Sequence, residues 1–321
     1  MTPIPFVRLD DPRYGDPVEV SPLVRRVIAR NPSRFTYHGT GTYLVGHGEV
    51  AVIDPGPVDD AHRDALGAAL AGEQVVAIVV THCHGDHSPL AAWLRSETGA
   101  PTIAIGPHAG AQDLDDLDVG SDGAPEGSSD DAGAQRETID TDFDPDVRVV
   151  DGDVIVAADG WSLRAVHTPG HTSNHLSVAL DAERSLFTGD HIMGWSTTVV
   201  VPPDGDMRAY MDSVRKVRGR ADVTLWPTHG APIREPAPFL DAYLAHRLER
   251  EAQILAVVRA GVTSVPAIVE QLYVDVDVEL HRAARRSVLA HLAKLVDDGF
   301  VAVDGAVAGA GPTLRSAFGA T

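Results

Sequence analysis

The sequence has few of the features that mark secreted, membrane-spanning or disulfide-stapled proteins. Its 321 residues include a single cysteine, Cys83, which cannot form an internal disulfide. Residues 1–13 contain neither a basic segment nor an apolar one, so we expect no signal peptide. No apolar run approaches the roughly 18 to 20 residues that a membrane helix needs. These absences predict a cytoplasmic protein that has no contact with a membrane.

Basic residues are also scarce. There are 26 lysines and arginines against 46 acidic residues, which gives a net charge of −20. Much of the excess lies within residues 112–146, where thirteen acidic residues and one arginine are separated by Gly, Ser, Ala and Pro. Few residues in this segment could build a core, so we predict an exposed, mobile insertion. A solvated loop is its simplest role, and substrate exclusion or metal capture are the alternatives.

What the sequence does contain is an alternation of short Val- and Ile-rich runs with helical patterns, which is typical of mixed α/β layers. Its length suits two domains, and we predict an α/β catalytic domain over residues 1–235 and a helical domain over residues 236–321. The predicted strands of the first domain are Thr42–Val45, Val50–Ile53, Val75–Val80, Thr102–Ile105, Trp161–Val166, Leu176–Leu180, Ser185–Phe187 and Val223–Trp226. Its predicted helices are Asp59–Leu70, Pro89–Glu97 and Met207–Val217.

The second domain begins with a long helix predicted over Pro238–Arg259. Two further helices, over Pro266–Leu272 and Leu280–Asp297, precede a strand at Phe300–Val303, and this order predicts a winged-helix-like module. The last helix carries arginines at spacings of three and four: Arg282, Arg285 and Arg286. Such a basic stripe is typical of a helix that contacts nucleic acid and equally of an ordinary solvated helix.

The strongest chemical signal is the motif THCHGDH, which directly follows a predicted strand. His82 and His84 are two residues apart on a chain that leaves a strand, so their side chains point to the same side and can bind one ion. Gly85 would permit a sharp turn that brings Asp86 and His87 to a second ion. Imidazole and carboxylate are ligands that zinc accepts when no thiolates are present. The motif therefore predicts a metal site.

Two complete coordination shells need ligands from other strand ends, and the sequence contains three candidates. His171 follows a Pro-Gly turn after one strand, and Asp190 and His229 each close an apolar run. Asp54, at another strand end, is predicted to orient a ligating histidine, with a helix-capping role as the alternative. His175 is a candidate for substrate contact or for a structural role. Ligands that end several strands are what a site at one edge of a sheet requires.

These residues resemble the metallo-β-lactamase-fold hydrolases, whose HxHxDH motif is present at residues 82–87. The resemblance covers roughly residues 20–235 and implies a four-layered αββα sandwich with the site at one edge of the paired sheets. It also implies a division of the ligands, with His82, His84 and His171 on the first metal, Asp86, His87 and His229 on the second, and Asp190 as the bridge.

This ligand set predicts hydrolysis by two zinc ions or similar divalent metals. Two such ions about 3.5 to 4 Å apart share a hydroxide that exists at neutral pH, so no Ser, Cys or Lys nucleophile is needed. The predicted target is an ester, thioester, lactam or phosphodiester, and a small ester or thioester is favoured. Asp86 and Asp190 are the predicted catalytic carboxylates, with Asp86 both ligating a metal and accepting a proton.

Within the family, the sequence resembles the branch of β-lactamase-like protein 2, which implies ribonuclease activity and a C-terminal winged helix. The supporting stretches are Gly194–Thr198, Tyr210-Met211 and His246-Arg247 followed by Glu251. An RNA-binding or endoribonuclease-type protein that relies on the C-terminal module is therefore one alternative, although the overall acidity disfavours long nucleic acids. A mononuclear iron persulfide dioxygenase is another, because some family members oxidise persulfides with one ferrous ion, but the complete second ligand set disfavours it.

Overall fold

Two β-sheets face each other in the computed structural model of this protein. The structure describes residues 1–108, 138–274, 276, 281–304 and 311–321, with all their side chains except that of Arg282. Within these residues the first sheet has seven strands in sequence order: β1 (Val18–Ser21), β2 (Val24–Ile28), β3 (Gly41–Val45), β4 (Glu49–Ile53), β5 (Gln74–Val79), β6 (Thr102–Ala104) and β7 (Val147–Arg148). The second has five strands in the spatial order β12-β11-β10-β9-β8: β8 (Val154–Ala158), β9 (Trp161–His167), β10 (Leu176–Leu180), β11 (Ser185–Gly189) and β12 (Thr224–Pro227).

Apolar side chains from the inner faces of both sheets form one core layer. Tyr43 of β3 packs against Phe187 of β11 with ring centroids 5.0 Å apart, and Trp226 of β12 belongs to the same cluster. Strands β3 and β10 are buried along their whole length because they are covered on both faces. Double coverage explains why these strands are continuous apolar runs in the sequence rather than alternating ones.

Helices cover the outer face of each sheet. Helices α1 (Asp60–Ala69) and α2 (Leu90–Thr98) bury their apolar sides against the first sheet, and α3 (Met207–Arg218) packs on the second. The starts of α1 and α3 are capped by aspartates, because Asp59 accepts from the His62 amide at 2.7 Å and Asp206 accepts from the Ala209 amide at 2.6 Å. The predicted αββα sandwich is confirmed.

The C-terminal part is a small helical unit with a two-stranded ribbon. It contains α5 (Val265–Leu272), α6 (His281–Asp297), β13 (Val301–Val303) and β14 (Phe318–Ala320) around its own apolar core. Helix α4 (Pro236–Arg259) contributes to two cores, since Phe239 and Tyr243 pack under the second sheet and Ile254 packs with α5 and α6. The predicted winged-helix-like module is present, whereas a division of the chain at residue 235 stays a prediction.

Several elements differ from the sequence-based expectation. Strands β1, β2, β7 and β8 were not predicted. The sequences of β2 (VRRVI) and β7 (VR) have no clear period, whereas β1 (VEVS) alternates and β8 (VIVAA) is wholly apolar, so these two strands were missed despite a readable pattern. The insertion over 112–146 was predicted to be exposed and mobile. Five of its last nine residues are exposed, in agreement with the first part of this prediction, whereas Phe143 and Pro145 are buried. Residues 138–146 pack against the metal motif, where the Gly85 amide donates to the Thr138 carbonyl at 2.7 Å and the Asp140 amide donates to the Cys83 carbonyl at 2.8 Å. Residues 109–137 lie outside the described part.

In the part of the chain that the structure describes, no helix combines the length and the apolar character needed to cross a membrane.

Candidate metal centre

The predicted ligands meet at one edge of the sandwich, where several strands end. The motif at 82–87 follows β5, Asp190 follows β11, His229 follows β12, and His171 lies between β9 and β10. Because β4 and β5, and likewise β11 and β12, are parallel pairs, their carboxyl ends reach the same edge. The ligand atoms form two groups, within each of which they lie no more than 4.8 Å apart: His82, His84, His171 and Asp190 in one, and Asp86, His87 and His229 in the other.

Asp190 connects the two groups through its two carboxylate oxygens. Its Oδ1 atom lies 3.3 Å from Nε2 of His229 and 3.6 Å from Nε2 of His87. Its Oδ2 atom lies 3.9 Å from Nε2 of His171. One oxygen therefore faces each group, which is the arrangement expected of a bridging carboxylate.

The first group consists of three imidazoles whose inner nitrogens converge. Nε2 of His82 lies 3.0 Å from Nδ1 of His84, which in turn lies 3.2 Å from Nε2 of His171. The outer nitrogen of His171 donates to the Val199 carbonyl at 2.7 Å. The outer nitrogen of His82 lies 3.0 Å from the hydroxyl of Thr81, which donates its own proton elsewhere and so accepts here. Two inner nitrogens thus carry lone pairs, as metal ligands must.

Burial keeps these imidazoles neutral. It is the largest cause that lowers the pKa of His84 to about 3, and it also lowers the pKa of His171 and brings that of His82 well below its ordinary value. Neighbouring imidazoles add to the shift for His82 and His84, because a second positive charge nearby is unfavourable. Neutral imidazole is the form that binds a divalent cation.

The second group has the opposite electrostatic character, because carboxylates surround its imidazoles. Burial alone would lower the pKa of His87, but Asp86, Asp190 and Asp54 raise it well above its ordinary value. The same balance raises the pKa of His229 to about 10, with Asp190 as the largest raising cause. Burial opposes ionisation of Asp86 and Asp190, yet the two imidazoles lower both carboxyl pKa values. This part of the site therefore favours cations.

Two buried polar atoms that lack hydrogen-bond partners also indicate that this site binds cations. Among the described residues, Nε2 of His87 and Oδ1 of Asp190 are buried without a hydrogen-bond partner. A buried polar atom without a partner costs roughly 1 to 3 kcal/mol, so native proteins rarely leave one unexplained. Divalent cations held between the groups would satisfy both atoms. The donor set, which has nitrogen and oxygen atoms and no thiolate, suits zinc and similar metals.

Asp54 orients the second group. Its Oδ2 atom accepts from Nδ1 of His87 at 2.9 Å and from the hydroxyls of Thr81 and Thr228, at 2.8 Å and 3.1 Å. Its backbone lies in the left-handed region, with φ at 51°. A non-glycine residue held there is often found at a functional site. The alternative capping role does not apply, because Asp59 caps the following helix.

His175 lies beneath the site and does not line it. Its side chain is fully buried, and Nε2 accepts from the Asp190 amide at 3.2 Å. Nδ1 therefore carries the proton and donates to the Thr168 hydroxyl at 2.9 Å. Burial brings the pKa of His175 well below its ordinary value, in agreement with a neutral ring. His175 thus holds the backbone of Asp190, which favours the structural role over a substrate contact.

Two loops support the ligands, and the sequence indicated only the second of them. In the first, the Gly39 carbonyl accepts from Nδ1 of His229 at 3.2 Å, and the Thr40 hydroxyl donates to Oδ2 of Asp86 at 2.7 Å. In the second, the Thr198 hydroxyl donates to the Asp190 carbonyl at 2.7 Å, and Thr198 ends the stretch Gly194–Thr198 that the family resemblance pointed to. Thr and Gly are common in ordinary turns, so nothing in the sequence distinguished Gly39 and Thr40.

An aromatic pair stands beside the second group. The rings of Tyr37 and Trp195 are stacked, with centroids 4.8 Å apart and planes 13° apart. Trp195 packs near Gly230, the residue after His229, where a Cβ atom would lie 3.1 Å from the indole Cδ1. Tyr37 has a left-handed backbone with φ at 58°. The pair forms one wall of the site, and only Trp195 belonged to a stretch that the sequence indicated.

Two further residues of the motif have roles that differ in part from the expectation. The predicted turn at Gly85 is present, closed by the His87 amide, which donates to the His84 carbonyl at 3.0 Å, but a positive φ is not what requires glycine at Gly85. Its φ is not positive, but a Cβ atom there would lie 2.1 Å from Oγ1 of Thr138, so a close approach requires glycine. Cys83 is turned away from the ligands, with its thiol near the Gly106 carbonyl and the Asn174 amide. Burial raises the pKa of this thiol to about 11.

Comparisons with known proteins agree with this architecture. A family model described as the metallo-beta-lactamase superfamily matches residues 38–229, and one described as a beta-lactamase associated winged helix domain matches residues 264–309. A solved structure of a beta-lactamase domain protein from Burkholderia ambifaria has a TM-score of 0.76 at 21% identity and covers 99% of this chain and 97% of that one.

Two curated relatives are similar over most of their length. A beta-lactamase-like protein 2 homolog from Caenorhabditis elegans is 32% identical over 299 residues, covering 90% of this chain and 89% of the relative. An atrochrysone carboxyl ACP thioesterase from Claviceps purpurea is 29% identical over 248 residues, covering 76% of this chain and 68% of the relative. With its His and Asp cluster, its sandwich and its C-terminal winged helix, the chain belongs to the metallo-beta-lactamase superfamily and is a metal-dependent hydrolase.

Proposed function

We propose that this protein is a binuclear hydrolase that cleaves small thioesters. The observation that carries the proposal is the placement of Asp190, whose Oδ1 faces His87 and His229 while its Oδ2 faces His171. A carboxylate with an oxygen toward each group is suited to two ions rather than one. Zinc as the native metal, the second ion and a cytoplasmic location are parts of this proposal.

Two divalent ions, when bound, supply a water whose pKa is lowered to roughly 7 and polarise the carbonyl under attack. The chain's own residues then have separate roles. Asp54 holds His87 through its Nδ1 proton, and the Val199 carbonyl holds His171 in the same way. Asp86 is the more exposed of the two carboxylates, at 21% against 8% for Asp190. We therefore assign Asp86 as the proton acceptor, with the Thr40 hydroxyl orienting it.

The choice of a thioester rests on the site and on the relatives. Cys83 is not available as a nucleophile, because it is buried and its thiol pKa is raised, so water must attack directly. Several relatives, including the one from Claviceps purpurea, are named as thioesterases that act on a carrier-bound acyl group. A thiolate leaves readily because its conjugate acid has a pKa near 8.5, so little further acid catalysis is needed.

The test combines elemental analysis of the purified protein with a panel of thioesters, lactones, lactams and phosphodiesters, assayed with and without chelator. We expect two divalent ions per chain and chelator-sensitive thioester hydrolysis. His84→Ala and Asp190→Ala should reduce turnover to background while the circular dichroism spectrum stays that of the folded protein. His47→Ala, which removes an exposed histidine in the turn between β3 and β4 and outside both ligand groups, is the control and should retain turnover. Lack of activity against every thioester in a fully metal-loaded sample would refute the proposal.

RNA cleavage or RNA binding through the C-terminal module is the second candidate, and the match to a winged helix domain favours it. It predicts salt-sensitive binding of a single-stranded oligonucleotide that survives removal of the metals. The third candidate, a mononuclear iron persulfide dioxygenase, predicts one iron and no zinc per chain. The second ligand group of Asp86, His87 and His229 weighs against that candidate.

A further inference from the structure

A large groove separates the catalytic sandwich from the C-terminal helices. Its volume is about 910 Å³, which lies within the range of roughly 300 to 1,000 Å³ typical of sites for small molecules and cofactors. One wall is the segment 201–207 between β11 and α3, and the opposite wall is the side of α6 that carries Arg285, Arg286 and Leu289. Residues 311–315 close one side.

The groove concentrates positive charge in an acidic protein. Arg285, Arg286 and Arg315 line it, together with the carboxylates of Asp206 and Asp297. The Asp206 carboxylate is engaged as the cap of α3, where it accepts from the Ala209 amide. Nε of Arg285 is buried and has no hydrogen-bond partner among the described residues. A guanidinium with an unused buried donor is suited to a phosphate, which accepts two parallel hydrogen bonds from arginine.

This placement gives the basic stripe of α6 a different role from the one that its sequence suggests. A helix that reads nucleic acid presents its basic side chains outward to a groove of the duplex. Here Arg285 and Arg286 instead face the segment 201–207 of the catalytic domain across the groove. The geometry therefore indicates a ligand that lies between the two parts of the same chain.

The wall of the groove is directly connected to the metal centre. Two residues before Val201, the Val199 carbonyl accepts from His171, and at the other end of the wall the Asp206 amide donates to the Gly170 carbonyl at 2.9 Å. Between Trp195 and the groove, only Thr198 and Val200 are buried, and the other side chains of residues 195–201 are partly exposed. Residues 195–201 therefore form a partly exposed segment, the track, between the aromatic pair beside the second ligand group and the groove.

We propose that the groove binds the phosphate-bearing end of a coenzyme A thioester, with Arg285 as the principal phosphate ligand, an inference that rests on the proposed thioester hydrolysis. The acyl thioester would lie at the metal centre and the pantetheine arm would follow the track over Val199 and Val201. The apolar lining by Leu289, Pro266 and Pro312 provides a surface for the adenine ring. A small nucleotide fits the groove volume, whereas the acidic protein as a whole repels a long polyanion.

The first measurement compares two thioesters that share one acyl group, one on coenzyme A and the other on N-acetylcysteamine, which lacks the phosphates. In the metal-loaded protein, Arg285→Gln should raise KM for the coenzyme A thioester about tenfold or more and leave kcat/KM for the short thioester unchanged. Arg285→Lys, which keeps the charge, should restore part of the loss. Arg259→Gln removes an exposed arginine outside the groove and controls for the change in net charge. Equal effects of Arg285→Gln on both thioesters would overturn the proposal.

The second measurement does not depend on turnover. Desulfo-coenzyme A carries the phosphates but has no sulfur that could bind the metals, so its binding to the metal-loaded protein, followed by calorimetry, reports on the groove. We expect binding that weakens at least tenfold in Arg285→Gln and stays unchanged in Arg259→Gln. Absence of binding, or binding that does not change in Arg285→Gln, would refute coenzyme A binding in the groove even if thioesters are hydrolysed.

Binding without thioester hydrolysis would instead refute the catalytic proposal and leave the proposal of a coenzyme A site in the groove standing. Displacement of desulfo-coenzyme A by single-stranded RNA at equal phosphate concentration would count against a small-molecule site.

Discussion

At the scale of single residues, the site depends on which nitrogen of each imidazole carries the proton. Val199, Gly39 and Asp54 each accept a hydrogen bond from the Nδ1 atom of a different ligand histidine. Each of these bonds directs the Nε2 lone pair inward. Two of the three acceptors are backbone carbonyls, so substitution can test only the side-chain acceptor.

Asp54→Asn is the residue-scale test. The amide retains the shape of the side chain but loses the charge that holds the His87 proton, so we expect metal affinity or kcat/KM to fall about 10- to 100-fold. Titration with a competing chelator measures the affinity. Asp59→Asn, which alters the cap of α1 outside the site, is the matched control and should leave metal affinity unchanged. Unaltered affinity in Asp54→Asn would mean that the carboxylate has a purely structural role.

At the scale of elements, α4 links the C-terminal helices to the metal loops. Arg247 is buried, stacks over the rings of Tyr210 and Tyr243 at 5.2 Å and 5.5 Å, and donates to the Thr198 carbonyl. The Thr198 hydroxyl in turn donates to the Asp190 carbonyl. One helix of the second core thereby fixes the loop that carries Asp190.

Arg247→Met should lower kcat/KM about 10- to 100-fold, because small displacements of a ligand loop have effects of this size. The change leaves the Thr198 carbonyl without this donor, which also costs roughly 1 to 3 kcal/mol of stability. Arg250→Met is the matched control, since Arg250 is also buried on α4 and stacks on Tyr273 at 4.1 Å but donates to Leu272 instead. We expect a similar loss of stability with little change in kcat/KM. Parallel losses of activity in both variants would contradict the positioning role.

The contact between α4 and α6 should make the C-terminal core sensitive to acid. His291 is fully buried and faces Glu251, Lys294 and Arg247, and burial is the largest cause that lowers its pKa. In Glu251, hydrogen bonds from His291 and Lys294 outweigh burial and lower the carboxyl pKa. A lowered pKa in the folded state gives stability that is present above the unfolded value and lost as pH falls.

We therefore expect the free energy of unfolding to decrease as pH falls below about 6.5, first through His291 and then, below about 4.3, through Glu251. Urea unfolding at a series of pH values, followed by tryptophan fluorescence and circular dichroism, measures the trend. His291→Gln should flatten the dependence between pH 7 and pH 5 without abolishing the steeper loss in stronger acid. A variant with the same slope as the native protein would show that His291 does not titrate with unfolding.

At the scale of the whole molecule, three apolar clusters hold the sandwich together and a fourth holds the C-terminal unit, so we expect the chain to fold without metals. Ligands that bind only the folded state nevertheless stabilise it, by about 4 kcal/mol when the free metal is at 1,000 times its dissociation constant. Removal of the metals with a chelator should lower Tm by several degrees while the far-ultraviolet circular dichroism spectrum persists. Readdition of zinc should restore Tm. No change of Tm in a sample proven to have lost its metals would contradict binding at this centre.

The sequence by itself determined the chemistry of the site and the class of the fold. The seven candidate ligand positions were readable because His and Asp residues ended strand-like runs. Continuous apolar runs marked the strands covered on both faces, such as β3 and β10. Strands β1 and β8 carry an alternating and an apolar pattern that the prediction did not use. The short strands β2 and β7 and the contacts of residues 138–146 were not readable, since distant partners supply their hydrogen bonds and a local pattern does not reveal those partners.

Only the tertiary structure decided how these parts act together. The convergence of His171, Asp190 and His229 on the motif, the two directions of the Asp190 carboxylate and the groove that faces Arg285 all depend on contacts between residues far apart in the chain. Periodicity reports which side of its own element a residue lies on. It carries no information about which distant atom lies opposite, and the orientation of each imidazole depends on that atom.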